Sequence, residues 1–144
     1  MPYVSHNKWD RRFMELATHI SSWSKDPSTK VGAVIVSPDR SGVVFGYNGF
    51  PRGIADTDHR LINRDLKYPL TIHAEVNALL HSTGNLHGHT LYCTLACCAP
   101  CAMQIIQKGI TRVIIPAVVT TSQWADSQIL AIEMFRERGI EVTH

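Results

Sequence analysis

Two short segments constrain this chain more than anything else in it: His73-Ala74-Glu75 and Cys98-Ala99-Pro100-Cys101. His73, Cys98 and Cys101 can each hold a metal, but only in a fold that brings both segments to one point. Three protein ligands, rather than four, leave one position of a tetrahedral zinc open to water, the mark of a catalytic site and not a structural one. Glu75 stands two residues from the histidine, close enough to move protons there. Cys98 and Cys101 share a face if a helix carries them. His73 and Glu75 would diverge in mid-helix and converge only where a helix begins. The fold must therefore set two helix starts side by side, and their positive dipole ends would offset the charge of two thiolates.

The rest of the chain supplies such starts. Trp9, Phe13, Leu16, Ile20 and Trp23 recur at helical spacing, which predicts a helix over 7–23. Val31–Val36 and Val43–Tyr47 read as a hairpin around Pro38-Asp39-Arg40-Ser41-Gly42. Asn48–Leu70 is polar, with glycines and prolines, and reads as one long loop of the functional kind. A helix over Thr71–Ser82, a strand over Thr90–Thr94 and a helix over Cys98–Lys108 follow. Arg112–Ile115 is a strand, Asp126–Arg138 a helix stopped by Gly139, and Ile140–Thr143 a last strand. The order α-β-β-α-β-α-β-α-β predicts an α/β sheet with helices on both faces. Both metal-capable segments then fall at its carboxyl edge, where such folds place ligands.

Composition narrows the function. The 144 residues fit one domain, and the formal charge of +2 comes without any Lys/Arg run of the kind that grips polynucleotides. A small anionic ligand held by one or two cations suits this balance better. No apolar run approaches the roughly 18 residues that cross a bilayer, and no secretory segment opens the chain, so the expectation is a cytoplasmic protein without a membrane. All four cysteines crowd between Cys93 and Cys101, too close for a disulfide framework.

Each residue also has a plain structural reading. A lone Cys-x-x-Cys in a reduced protein is more often redox or structural, and a thiol oxidoreductase is the rival of another class. That reading leaves His73 and Glu75 without a purpose. Cys93, on a strand beside Tyr92, reads as a core residue; Cys97 could compete as a ligand, but Cys98 keeps the spacing. The remaining histidines (His6, His19, His59, His81, His87, His89 and His144) read as surface or loop residues. Asn48, before Gly49, reads equally as a turn residue with positive φ or as a ligand. Lys25, Lys30 and Arg52 are candidate phosphate cations, and Ser28 and Thr29 candidate hydroxyl donors.

With these residues in view the chain resembles the deoxycytidylate deaminases of the cytidine deaminase superfamily, over about residues 8–143. His-x-Glu followed by Pro-Cys-x-x-Cys marks zinc nucleobase deaminases, and here Cys97 stands in the place of that proline. The resemblance also rests on Asp26-Pro27-Ser28-Thr29-Lys30-Val31-Gly32-Ala33, on Gly46-Tyr47-Asn48-Gly49-Phe50-Pro51-Arg52-Gly53, and on Lys67-Tyr68-Pro69 ahead of the histidine. The zinc motif alone would equally fit deaminases of tRNA adenosine, cytidine or a riboflavin precursor. The Tyr-Asn-Gly-x-Pro segment and the long loop favour deoxycytidylate.

The resemblance implies a three-layer α/β/α fold with a mixed, about five-stranded sheet, as a single domain over 1–144. It implies hydrolytic deamination of dCMP to dUMP and ammonia, feeding thymidylate synthesis. One Zn²⁺ would sit on His73, Cys98 and Cys101, with Glu75 as proton shuttle and no second zinc. Asn48, Ala74, Lys30 and Ser28 would surround the substrate. A regulatory nucleotide would lie at Asn48, Gly49, Phe50 and Arg52, with dCTP and Mg²⁺ activating and dTTP inhibiting a homohexamer.

Overall fold

A computed structural model describes residues 7–143. Its elements run α1 (Lys8–Ser21), β1 (Gly32–Val36), β2 (Val43–Tyr47), α2 (Asp58–Ile62), α3 (Arg64–Leu70), α4 (Ala74–His81), β3 (Thr90–Cys93), α5 (Ala99–Gln107), β4 (Arg112–Ile114), α6 (Ala125–Arg138) and β5 (Glu141–Thr143). The five strands form one mixed sheet in the order β2-β1-β3-β4-β5. β1 is antiparallel to both neighbours, whereas β3, β4 and β5 run parallel.

The strand residues sort between two faces with the period of two that strands impose. Val34, Val36, Tyr92 and Ile114 meet Met14, Ala17 and Ile20 of α1 on one face. Ala33, Ile35, Leu91, Cys93 and Val113 meet α4, α5 and α6 on the other. Helices on both faces are therefore observed. Two glycines permit the close approach. A Cβ on Gly32 would lie 2.1 Å from the carbonyl oxygen of Ala17, and one on Gly46 would lie 2.5 Å from the nitrogen of Ala78. Backbone meets backbone at both points, so no larger residue fits without moving α1 or α4.

The sequence reading of one long loop over 48–70 is corrected: two short helices lie within it. Thr57 Oγ1 accepts the N–H of Arg60 to open α2, and Asn63 Oδ1 accepts the N–H of Asp65 to open α3. Pro69 sits in the last turn of α3, where it forgoes a backbone bond near the helix end. α4 starts three residues later than its pattern suggested, because Ile72 instead pairs with Gly49 in an isolated antiparallel bridge.

β2 is an edge strand, and its outward carbonyls are not left bare. His81 Nδ1 donates to the Phe45 oxygen at 2.7 Å, and Asn77 Nδ2 donates to the Tyr47 oxygen at 2.8 Å. α4 thus closes over the edge that an unprotected sheet would present to another chain.

Candidate metal centre

α4 begins at His73 and α5 at Cys98, and each of these N-cap residues makes no side-chain cap hydrogen bond. Their side chains turn toward each other instead. His73 Nδ1 lies 3.2 Å from Cys101 Sγ and 3.4 Å from Cys98 Sγ, and the two sulfurs are 3.2 Å apart. Two thiolates each about 2.3 Å from a tetrahedral zinc would lie about 3.7 Å apart. The observed triangle is slightly tighter than that and of the right donor chemistry, so His73, Cys98 and Cys101 fit a zinc ion. Among the described residues they form the one His/Cys/Asp/Glu group whose ligand atoms converge in this way.

Cys97 does not join the triangle; its side chain is buried in the core, as is that of Cys93. The electrostatics of the triad follow from its crowding. The hydrogen bond from Cys101 brings the Cys98 thiol down to about 4 against the push of burial, with His73 contributing, and Cys101 keeps its proton more firmly. A thiolate and a ring nitrogen held together in this way are ready metal donors.

Glu75, in the first turn of α4, is buried, with only 4% of its surface accessible. Burial pushes its carboxyl up from the ordinary range. Cys93 Sγ lies 3.9 Å from its Oε2 and walls its inner side. A carboxyl whose protonated form is favoured in this way suits a group that both accepts and returns protons.

Asn48 is buried at the end of β2, and its amide spans the neighbouring loop. Its Oδ1 accepts the N–H of Val31 at 2.9 Å and its Nδ2 donates to the Thr29 oxygen at 2.9 Å. Its φ is not positive: Arg40 is the one described non-glycine residue in that region. The turn reading of Asn48 therefore fails, and its amide shapes the 24–31 loop. Ala74 is fully buried at the start of α4. Gly49 and Phe50 are half-buried beside Asn48, and with Asn48, Tyr47, Lys67 and Thr71 they line a cleft of about 130 Å³. The triad itself does not line this cleft. Another cleft, of about 100 Å³, lies at the far end of β1 near Asp10 and Arg112 and holds none of the candidate residues.

The candidate cations take different positions. Lys30 is exposed, as is Lys25, which pairs with Asp56 at 2.7 Å. Arg52 Nη2 donates to His81 Nε2 at 3.1 Å, so this guanidinium is engaged at the end of α4. Ser28 Oγ accepts from Lys67 at 3.3 Å, and Lys67 also reaches Asp26 at 3.1 Å. Sequence reasoning gave Lys67 no role: its partners lie forty-one and thirty-nine residues away, and no spacing rule connects them. Of the other histidines, His19, His59, His81 and His87 are exposed and His89 is half-buried. His6 and His144 lie outside the described residues.

The family model described as the cytidine and deoxycytidylate deaminase zinc-binding region matches residues 7–117. An uncharacterized deaminase of the luxG 3′ region of Aliivibrio fischeri is 42% identical over 142 residues, covering 95% of this chain and 93% of its own length. The deoxycytidylate deaminase of Mus musculus is 39% identical over 116 residues; the match takes in 74% of this chain and 64% of that one. The crystal structure of a dCMP deaminase from the cyanophage S-TIM5, in complex with dCMP and dUMP, superposes with a TM-score of 0.74 at 25% identity over 98% of both chains. No described helix is long and apolar enough to cross a membrane.

Proposed function

The chain belongs to the cytidine and deoxycytidylate deaminase family, and from that premise we propose that it deaminates dCMP hydrolytically to dUMP and ammonia. The convergence of His73 Nδ1 with the sulfurs of Cys98 and Cys101, with a buried Glu75 two residues after the histidine in the first turn of α4, carries this reading. The mouse relative and the cyanophage neighbour, by what each is named to act on or bind, support a deoxycytidine monophosphate substrate over a free nucleoside.

His73, Cys98 and Cys101 hold zinc, which when bound supplies the Lewis acidity that makes water reactive near neutral pH. Glu75 does the proton work. Its carboxylate takes a proton from the attacking water and passes it to the ring nitrogen beside C4; it then takes the second proton from the hydroxyl now on C4 and delivers it to the amine, so that the C–N bond breaks, ammonia leaves and the C4 carbonyl forms. Burial favours the protonated form of this carboxyl, which helps it to accept the proton from water. Cys93, itself fully buried, lies 3.9 Å from Oε2 of this carboxylate.

Asn48 and Ala74 bound the sugar and base. Asn48 spends two hydrogen bonds on the 24–31 loop, which leaves one N–H and an oxygen lone pair for a ligand. The phosphate is held by Lys30 and Ser28 on the same loop. The regulatory reading places dCTP with Mg²⁺, or dTTP, at Asn48, Gly49, Phe50 and Arg52 between subunits of a cytoplasmic homohexamer. Support for it is the family resemblance together with the cleft beside Asn48.

The experiment is ammonia release from dCMP, CMP, deoxycytidine and dCTP by the zinc-loaded protein, with mass and kinetics followed under added dCTP or dTTP. A preference for dCMP, measured as kcat/KM, is the expected result. Equal rates on dCMP and deoxycytidine would overturn the phosphate site and with it the choice of substrate.

A further inference from the structure

The N-terminal turn of α6 touches both halves of the triad's support. Ser127 Oγ accepts the N–H of Ala99 at 2.9 Å, supplying from another helix a hydrogen bond at the start of α5 that Cys98 does not make. Gln128, only 5% exposed, donates from Nε2 to the Ala96 oxygen at 3.2 Å. These two contacts grip the backbone on either side of Cys97-Cys98. In the same turn Trp124 meets Tyr68 of α3 edge-to-face, with ring centroids 5.6 Å apart. Tyr68 lies just ahead of the extended 71–73 segment that ends in His73.

We infer that this turn is a brace that fixes the distance between the His73 half and the cysteine half of the site. Ser127 and Gln128 are positioning residues for Cys98, and Trp124 steadies the segment that carries His73. The inference rests on the zinc reading of the triad. Its physical basis is that a thiolate bonds a metal along a narrow range of directions. A loop of small residues (Ala96, Cys97, Cys98, Ala99) has no bulky side chain of its own to hold that direction. Groups that orient ligands without touching the metal are typically worth ~10–100-fold in metal affinity.

The test is zinc affinity, measured by competition with a chromogenic chelator, for the wild type and for Ser127→Ala, Gln128→Leu, and the two combined. Ile132→Val serves as a control, since it thins the packing of the same helix and removes none of the brace's hydrogen bonds. The brace predicts that each single change weakens zinc binding by about tenfold and the pair by more, while Ile132→Val leaves it unchanged. Trp124→Ala should weaken it as well. Variants that hold zinc as tightly as the control overturn the brace and leave the zinc reading intact. A wild-type chain that takes up no zinc overturns the zinc reading, and the brace falls with it.

Discussion

Lys67 and Asp26 stand forty-one residues apart in the chain, yet their charged ends meet at 3.1 Å with 3% and 11% of the side chains exposed. This ion pair, with the bond from Lys67 to Ser28, fastens the 24–31 loop to α3. Removing one partner of a buried pair strands the other. Lys67→Met is therefore expected to cost about 3 kcal/mol of stability and to raise KM for dCMP, because the loop loses its anchor. Adding Asp26→Asn should recover part of the loss. Urea midpoints of the three proteins decide it, and an unshifted midpoint for Lys67→Met would show that water takes over the pairing.

Acid sensitivity should come largely from the far end of the sheet. Burial pushes the Asp10 carboxyl up, but two bonds from the Arg112 guanidinium and one from the Tyr92 hydroxyl together hold it below the ordinary range. With the folded value lowered, the unfolded chain binds more protons as acid is added. The contribution of Asp10 is thus complete above the unfolded value of about 3.9 and lost as pH falls through the folded one. Asp26 is shifted the same way, opposed by burial and lowered by the N–H groups of Thr29 and Ser28 and by Lys67. Melting temperature against pH should fall steeply below about pH 4. Asp10→Asn should flatten that limb without abolishing it; an unchanged limb would refute the assignment.

Metal binding and proton transfer should separate by mutation. Glu75→Gln keeps the shape but cannot act as a base, and kcat is expected to fall by at least ~10²-fold with zinc content unchanged. Cys98→Ser and Cys101→Ser should lose zinc and turnover together. Cys97→Ala should keep both, since its sulfur lies outside the triangle. Zinc per chain and turnover, measured on the same preparations, distinguish the two classes; full zinc in Cys98→Ala would point to the wrong sulfur.

Gly46→Ala should be the most damaging change to the fold near the site. The new methyl would lie 2.5 Å from the Ala78 nitrogen and 2.6 Å from the Ala74 oxygen, both backbone atoms of α4. Displacing α4 displaces His73 and Glu75, so a stability loss on the order of 3 kcal/mol and reduced zinc uptake are expected together. Circular dichroism melts and a zinc assay test this. A stable variant with full zinc would mean that α4 slides on the sheet at little cost.

The convergence of His73, Cys98 and Cys101 was legible because its pattern is local: a spacing of two, a spacing of three, and two helix starts. The strands and long helices were legible from period alone. α2 and α3 were not, because five and seven residues rich in polar side chains carry no apolar stripe, and their starts depend on the single cap residues Thr57 and Asn63. Lys67 was hidden for a different reason. A lysine buries its charge only when a partner waits, and Asp26 is brought to it by tertiary structure alone. The edge-to-face pair Tyr68–Trp124 and the bonds of Ser127 and Gln128 share this origin: each joins segments that nothing in the linear pattern associates.

α4 and α5 both open on a residue whose side chain makes no cap bond to its own helix and meets the other instead. With zinc seated as proposed, one ion completes the ends of two helices at once, and its binding energy becomes part of the folding energy. Melting temperature should then track free zinc, and a chelator should loosen both helix starts together. On that reading the supply of metal would set how much protein stays folded as well as how fast it turns over.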